Sequence, residues 1–220
     1  MNSTKRKQYL LLRGYPVLFH TITSINSCRA VDEMILVVPE DDFDFCRKNI
    51  IEPVNPSKRV RLITGGQKRQ ASVYRGLKAV ADKSGIVVIH DGVRPFVTPE
   101  QIDACIKGAE ESGACIFGIP AYDTLKIVHQ SCWINKTIQR DAVWLAQTPQ
   151  AFNYSLIRSA HENARKHDFT GTDDASLLER MGEKVKIIMG TRRNIKITTR
   201  EDLVLARMLI NENSFSSDPA

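Results

Sequence analysis

At 220 residues the chain is long enough for one domain with a sizeable buried core and needs no disulfide or metal staples to fold. Hydrophobic residues make up 42% and charged residues 25%, a globular balance that excludes a disordered tail or a fibrous repeat. Thirty-one Lys and Arg against 25 Asp and Glu leave a formal charge of +6, which favours anionic partners and leaves phosphorylated small molecules and nucleic acid both open.

Short apolar runs alternate with amphipathic stretches, the pattern of β-α-β units around a mostly parallel sheet. Residues 34–39 (MILVVP) read as a strand, and residues 40–50 as a helix whose acidic start suits the helix dipole. A second strand, 60–64 (VRLIT), runs into Gly65-Gly66, and a helical stripe follows over 69–82. The β-branched run 85–90 (GIVVIH) predicts a strand covered on both faces. Thr98-Pro99-Glu100 predicts a capped helix over 99–112 ending near Gly113, then a buried strand at 115–120. Between 122 and 144, TLKIVH and CWINKTIQ read as a protruding hairpin. Helices at 154–167 and 173–181, strands at 185–189 and 194–198, and a last helix at 201–211 complete the expected domain, residues 1–213. The arm spans about 121–144, and 214–220 has the composition of a frayed tail.

The five cysteines (Cys28, Cys46, Cys105, Cys115, Cys132) contain no C-x-x-C pair and no His at ligand spacing. A reduced, cytoplasmic protein without structural zinc is expected. No apolar run approaches the ~20 residues of a membrane-spanning helix. The basic start, MNSTKR, lacks the apolar stretch of a secretory signal, so a soluble protein without a membrane partner is expected.

In an open parallel sheet, ligands bind beyond the carboxyl ends of the strands. Strand VRLIT is followed by Gly65-Gly66-Gln67-Lys68-Arg69 and Ser72, where glycines permit close backbone approach and a helix start offers N–H groups to an anion. An ordinary tight turn reads equally well here. Strand GIVVIH is followed by Asp91-Gly92-Val93-Arg94. A carboxylate beside an Arg at a strand end suits magnesium carried on substrate phosphates, or simply a surface salt bridge. His90 has no companion at ligand spacing and reads as a packed histidine. Lys196, inside the apolar run NIKIT, and Arg140, after the hairpin, each read as a solvent-facing residue or a phosphate contact. Basic residues at strand ends and helix starts, rather than along one stripe, argue against nucleic acid.

The segments KQYLLLRGYPVLFHT, GGQKRQASV, HDGVRPFV, QRDAVWLAQTPQAF, TDDASLLE and NIKITTREDL, in this order, closely resemble the 2-C-methyl-D-erythritol 4-phosphate cytidylyltransferases of the non-mevalonate isoprenoid pathway, over nearly the whole chain. The resemblance implies an α/β, Rossmann-like fold of the nucleotide-diphospho-sugar transferase kind, with the hairpin as an arm. It implies transfer of CMP from CTP to a polyol phosphate, with Mg2+ as cofactor. Lys7 would stabilise the transition state on the triphosphate. Arg140 and Lys196 would grip and aim the incoming phosphate, the Arg as a bidentate fork and the Lys as a point charge. Gly66, Gln67 and Ser72 match the cytosine pocket, with Gln67 in place of the usual Asp. Asp91 matches the magnesium-associated Asp, Arg94 lies beside it as a substrate-binding residue, and Thr124, Thr148 and Thr172 match hydroxyl donors around the second substrate. Family members are homodimers whose arm reaches across, so Thr124 and Arg140 would complete the partner's site.

Related enzymes that make CDP-ribitol share much of this pattern, whereas the Arg140-Asp141-x-x-Trp144 spacing and TDDAS look more like the methylerythritol branch. Arg193 stands where the family often carries an acidic residue. Relatives also open with a buried strand and a glycine-rich loop, A-A-G-x-G-x-R-M, ahead of the segment beginning at Lys7, and have Pro where this chain has Arg6. By the resemblance, that strand and loop are missing here, which implies either an incomplete start or a non-catalytic relative. Without such a strand, its two neighbours would keep unpaired ladder groups.

Overall fold

A computed structural model describes residues 6–215. The first elements are a small hairpin, β1 (Leu11–Leu12) and β2 (Tyr15–Pro16), and helix α1 (Val17–Ser27). The hairpin turns through Arg13 and Gly14, both with positive φ. Strand β3 (Glu33–Val38) follows, then a helical run from Glu40 that contains α2 (Phe43–Cys46) and α3 (Glu52–Val54) on either side of a wide turn, Arg47–Ile51. The expected helix at 40–50 is therefore longer and less regular than the acidic start suggests.

Strand β4 (Arg59–Thr64), helix α4 (Arg69–Ala79), strand β5 (Ile86–Ile89), helix α5 (Pro99–Ser112) and strand β6 (Ala114–Pro120) lie where the alternation places them. Helix α5 shows the physical basis most clearly. Thr98 Oγ1 accepts from the Gln101 backbone N–H while the Gln101 side chain accepts from Thr98 N, and Gly113 closes the helix at φ 81°. These contacts satisfy end groups that the helix cannot pair internally. The arm is an antiparallel hairpin of β7 (Leu125–Val128) and β8 (Ile134–Ile138). It is followed by β9 (Trp144–Asn153), α6 (Tyr154–Lys166), α7 (Ala175–Arg180), β10 (Lys186–Met189) and α8 (Arg200–Phe215).

The main sheet has the order β10-β6-β9-β5, while β3 and β4 form a separate parallel pair. Strands β10 and β6 are parallel, and β9 runs antiparallel between β6 and β5. Among the described residues, β3 and β5 each have a ladder partner on one edge only. Helix α4 spans the division. Its Gly76 lies against Val37 and Ile35 of β3, and its Leu77 joins Ile89 of β5 in the largest apolar cluster, with Phe152, Ile157 and Leu178. On the other side Ile25 and Val31 pack with Ile102, Ile106 and Val88.

Three further expectations change. Residues 194–198 form no strand: Ile197 N donates to Val93 O at 2.9 Å, and side chains supply the rest of the anchoring. Strand β9 is not foreseen, because a Pro argues against a central strand; the fold keeps Pro149 within the strand but out of the ladder, after a cis peptide, at an irregularity where pairing steps from Ile116–Gln150 to Phe117–Gln147 and skips Thr148 and Pro149. Helix α8 runs on to Phe215, since neither Gly nor Pro follows Asn211 until Pro219, so the expected tail begins inside a helix. Its remainder, 216–220, lies outside the described residues.

Helix α5 packs tightly on β6: a Cβ on Gly108 would sit 2.5 Å from Cys115 Sγ. Gly108→Ala is expected to destabilise the protein by roughly 1–3 kcal/mol. Cys115→Ala in the same chain should restore part of the loss, read as denaturation midpoints of the single and double variants.

Candidate active site

The first part of the site is the turn between β4 and α4. Gly66 N donates to Ser72 Oγ at 3.0 Å, folding the turn back onto the helix, and a Cβ on Gly66 would lie 2.6 Å from the Ala71 Cβ. Helix α4 is preceded by Lys68, which supplies no side-chain cap, and its first N–H groups are left for an anion. Gly65, Gly66, Gln67 and Ser72 line a cleft of about 450 Å³ whose other wall is Val37 to Glu40. Arg75, absent from the sequence reading, also lines it and donates to the Thr64 and Gly65 carbonyls at 3.2 and 2.7 Å.

The second part is centred on Asp91, just beyond β5. Its Oδ2 meets Lys196 Nζ at 2.9 Å and Arg94 Nε at 3.5 Å, and its Oδ1 meets Arg69 Nε at 3.3 Å. The side chain is 12% exposed. Burial opposes ionisation of Asp91, yet Lys196, Arg69 and Arg94 together outweigh it and hold the carboxyl below its ordinary range. Arg94 is fixed by donating to Asn194 O at 2.7 Å, and burial lowers its pKa despite Asp91. Asp91 N donates to Thr148 Oγ1 at 3.1 Å. The Asn194 amide donates to Thr148 O at 2.8 Å and to Gln147 Oε1 at 3.3 Å. The loop after β5, the middle of β9 and the irregular segment before α8 are thereby tied into one unit.

Asp91, Arg94, Thr148 and Lys196, scattered over more than a hundred positions, converge here. Arg69, in the GGQKR segment but not singled out in the sequence, completes the ring of cations. Among the described residues no group of three or more His, Cys, Asp or Glu side chains is placed to cage a metal. Asp91 offers a divalent ion one carboxylate whose oxygens already face cations, so such an ion would draw its other ligands from phosphates and water.

Other expected residues lie apart. Lys7 is exposed and lines a second cleft, about 500 Å³, with residues 198–201. Its segment is pinned by Asp42, which accepts from Tyr9 Oη at 2.8 Å and pairs with Arg6 Nε at 3.3 Å. Arg140 and Thr124 are exposed at the base of the arm, where Arg140 Nη1 donates to the Tyr122 carbonyl. Thr172 is exposed on the loop before α7, held to β9 by Gln150, which donates to Asp173 Oδ2 at 2.7 Å. Arg193 turns to α8, with Nη2 at 3.5 Å from Leu209 O.

The family profile described as IspD, 2-C-methyl-D-erythritol 4-phosphate cytidylyltransferase, matches residues 1–212. The chain belongs to that family. It is 47% identical over 212 residues to the 2-C-methyl-D-erythritol 4-phosphate cytidylyltransferase of Syntrophus aciditrophicus, covering 96% of this chain and 91% of the relative. The corresponding protein of Geobacter metallireducens is 44% identical over 215 residues, with 96% and 92% covered. Among solved structures, 4-diphosphocytidyl-2C-methyl-D-erythritol synthase from Anaerococcus prevotii superposes with a TM-score of 0.85 at 36% identity, covering 94% of this chain and 90% of its own. The Thermus thermophilus 2-C-methyl-D-erythritol 4-phosphate cytidylyltransferase gives 0.79 at 31% identity, with 93% and 94% covered.

His90, next to Asp91 in the chain, is a packed histidine, its Nε2 3.1 Å from Arg94 O. Burial pushes the imidazole from the ordinary 6.5 down to about 4, against the Arg94 carbonyl and Asp91. Between those values the unfolded chain takes up a proton that the folded protein refuses, so stability is lost as pH falls through that window. Urea midpoints at pH 7 and pH 4.5 are expected to differ less in His90→Gln than in the parent protein; equal differences would contradict the assignment.

Proposed function

We propose that this protein transfers CMP from CTP to 2-C-methyl-D-erythritol 4-phosphate and releases pyrophosphate, a step of non-mevalonate isoprenoid precursor synthesis. The carrying observation is the cation-ringed Asp91, joined through Arg69 at the start of α4 to the turn whose glycines line a cleft, in a chain of this family. An oxygen of the acceptor phosphate forms a bond to the α-phosphorus of CTP. The bond from that phosphorus to the bridging oxygen breaks, and pyrophosphate departs with the electron pair. Such a reaction asks the protein for alignment and charge neutralisation rather than covalent chemistry.

Gly66, Gln67 and Ser72 hold the cytosine, and the uncapped start of α4 faces the nucleotide. Lys196 leaves Asp91 for the acceptor phosphate: it is 43% exposed, whereas Arg94 and Arg69 have second anchors. Arg94 binds substrate from the same loop, and Thr148 and Thr172 donate to the acceptor. Lys7 stabilises charge on the triphosphate. Asp91 is the residue to hold Mg2+, which supplies charge neutralisation on the phosphates when bound.

Residues 1–213 act as one domain in this reading, and the arm serves a homodimer. Val128, Trp133 and Ile134 are 55%, 76% and 61% exposed on the arm, an apolar surface that a second copy would cover. Arg140 and Thr124 then reach the partner's acceptor phosphate. The reading places the work in the cytoplasm, on soluble substrates. No described helix is long and apolar enough to cross a membrane.

Pyrophosphate release from CTP and Mg2+, measured with methylerythritol phosphate and with ribitol 5-phosphate, tests the assignment. Turnover is expected with the first; preference for the second moves the protein to the CDP-ribitol branch, and none with either overturns the reading. Arg140→Ala should lower kcat about 100-fold or more while the CTP KM stays within about threefold. Equal loss of CTP binding would mean that its role is misplaced. In sedimentation, the parent should run as a dimer and Trp133→Glu combined with Ile134→Glu as a monomer.

A further inference from the structure

Beyond the cations that face solvent, a chain of three contacts runs inward from Asp91. Arg69 Nε holds Asp91 Oδ1 at 3.3 Å, and Arg69 Nη1 holds Asp174 Oδ2 at 2.7 Å. The other Asp174 oxygen, Oδ1, lies 3.1 Å from His161 Nε2 on α6. Asp174 is 1% exposed and His161 fully buried, so the inner end of the chain is fixed in the core. Burial opposes the charge on Arg69, yet Asp174 and Asp91 outweigh it and raise its pKa. One planar guanidinium thus spans two carboxylates, a geometry that the point charge of a lysine cannot reproduce.

The neighbouring residue reinforces the join. Gln70 donates to Phe169 O at 3.1 Å and accepts from Gly171 N at 3.0 Å. The loop that carries Thr172 is therefore fastened, through Arg69 and Gln70, to the first turn of the helix whose start forms the nucleotide cleft. With Oδ1 taken by Arg69, Asp91 turns Oδ2 toward Lys196 and Arg94.

We infer that Arg69, oriented by Asp174 and His161, is a positioning residue that sets the acceptor loop in register with the nucleotide cleft and fixes the rotation of Asp91. The inference rests on the transferase reading above. In-line attack depends on alignment to fractions of an ångström, so loosening this joint slows turnover more than it weakens substrate binding.

The test compares Arg69→Ala, Arg69→Lys and Asp174→Asn with the parent in kcat, both KM values, thermal midpoint and Mn2+ affinity in the presence of CTP, read by electron paramagnetic resonance. Arg69→Ala is expected to lose about 100-fold in kcat with the CTP KM within about threefold. It should recover about tenfold on addition of guanidinium, and bind Mn2+ about tenfold more weakly. Arg69→Lys, which keeps the charge and the packing, should fold as the parent does and still fall well short of it in kcat. Adding Asp174→Asn to Arg69→Ala should cost little more, because the two act through one contact. Unchanged kcat in Arg69→Ala, or a loss accounted for by KM or thermal midpoint with no guanidinium rescue, would overturn the inference. If the parent releases no pyrophosphate at all, the transferase reading fails on its own. The Mn2+ affinities then decide the role of Arg69, equal values in parent and Arg69→Ala refuting it.

Discussion

A nearly buried carboxylate facing three cations is the constraint around which this site is organised. Asp91 alone would be costly to remove from water, and Arg69, Arg94 and Lys196 would repel one another without it. Each therefore requires the others. The three cations come from the start of α4, the loop after β5 and the segment before α8, so satisfying one charge locks three distant stretches of chain together. The cluster of Asp91, Arg69, Arg94 and Lys196 still carries more positive than negative charge.

The same economy explains the irregular segment at 194–198. Its backbone finds no ladder, and Asn194 takes over by bonding Thr148 and Gln147 of β9 while its carbonyl holds Arg94. A strand there would have placed Lys196 by pleat geometry. Side-chain anchoring leaves Lys196 near Asp91 yet substantially exposed, a position from which it can exchange one anion for another.

How much of this could be read from the chain differs by element. Helix α5 was legible because its capping residues, its first-turn proline and its closing glycine are all local signals. The arm was legible from its alternation and its polar turn. Strand β9 was not: Pro149 is a breaker by every local rule, and only pairing to β6 on one side and β5 on the other makes extended structure there worth more than the irregularity costs. Residues 194–198 failed in the opposite sense, since a β-like apolar pattern found no neighbouring strand to pair with. At the site, Asp91, Arg94 and the Gly66–Ser72 turn could be picked out because they follow predicted strands. Arg69 could not be distinguished from Lys68 beside it, because its partner Asp174 is 105 positions away.

Length, composition and charge gave a globular balance that favours anionic partners, the alternation of apolar runs with amphipathic stretches gave the α/β class, and the joined motifs determined the family. Those properties depend on residue type and local order, which the sequence carries in full. The +6 charge by itself left nucleic acid open; tertiary structure gathered part of that charge around one carboxylate at a strand end. Tertiary structure also decided that β9 runs antiparallel and that Arg69 bridges two carboxylates. Each of these turns on contacts between residues far apart in the chain, where burial and charge pairing outweigh local preference.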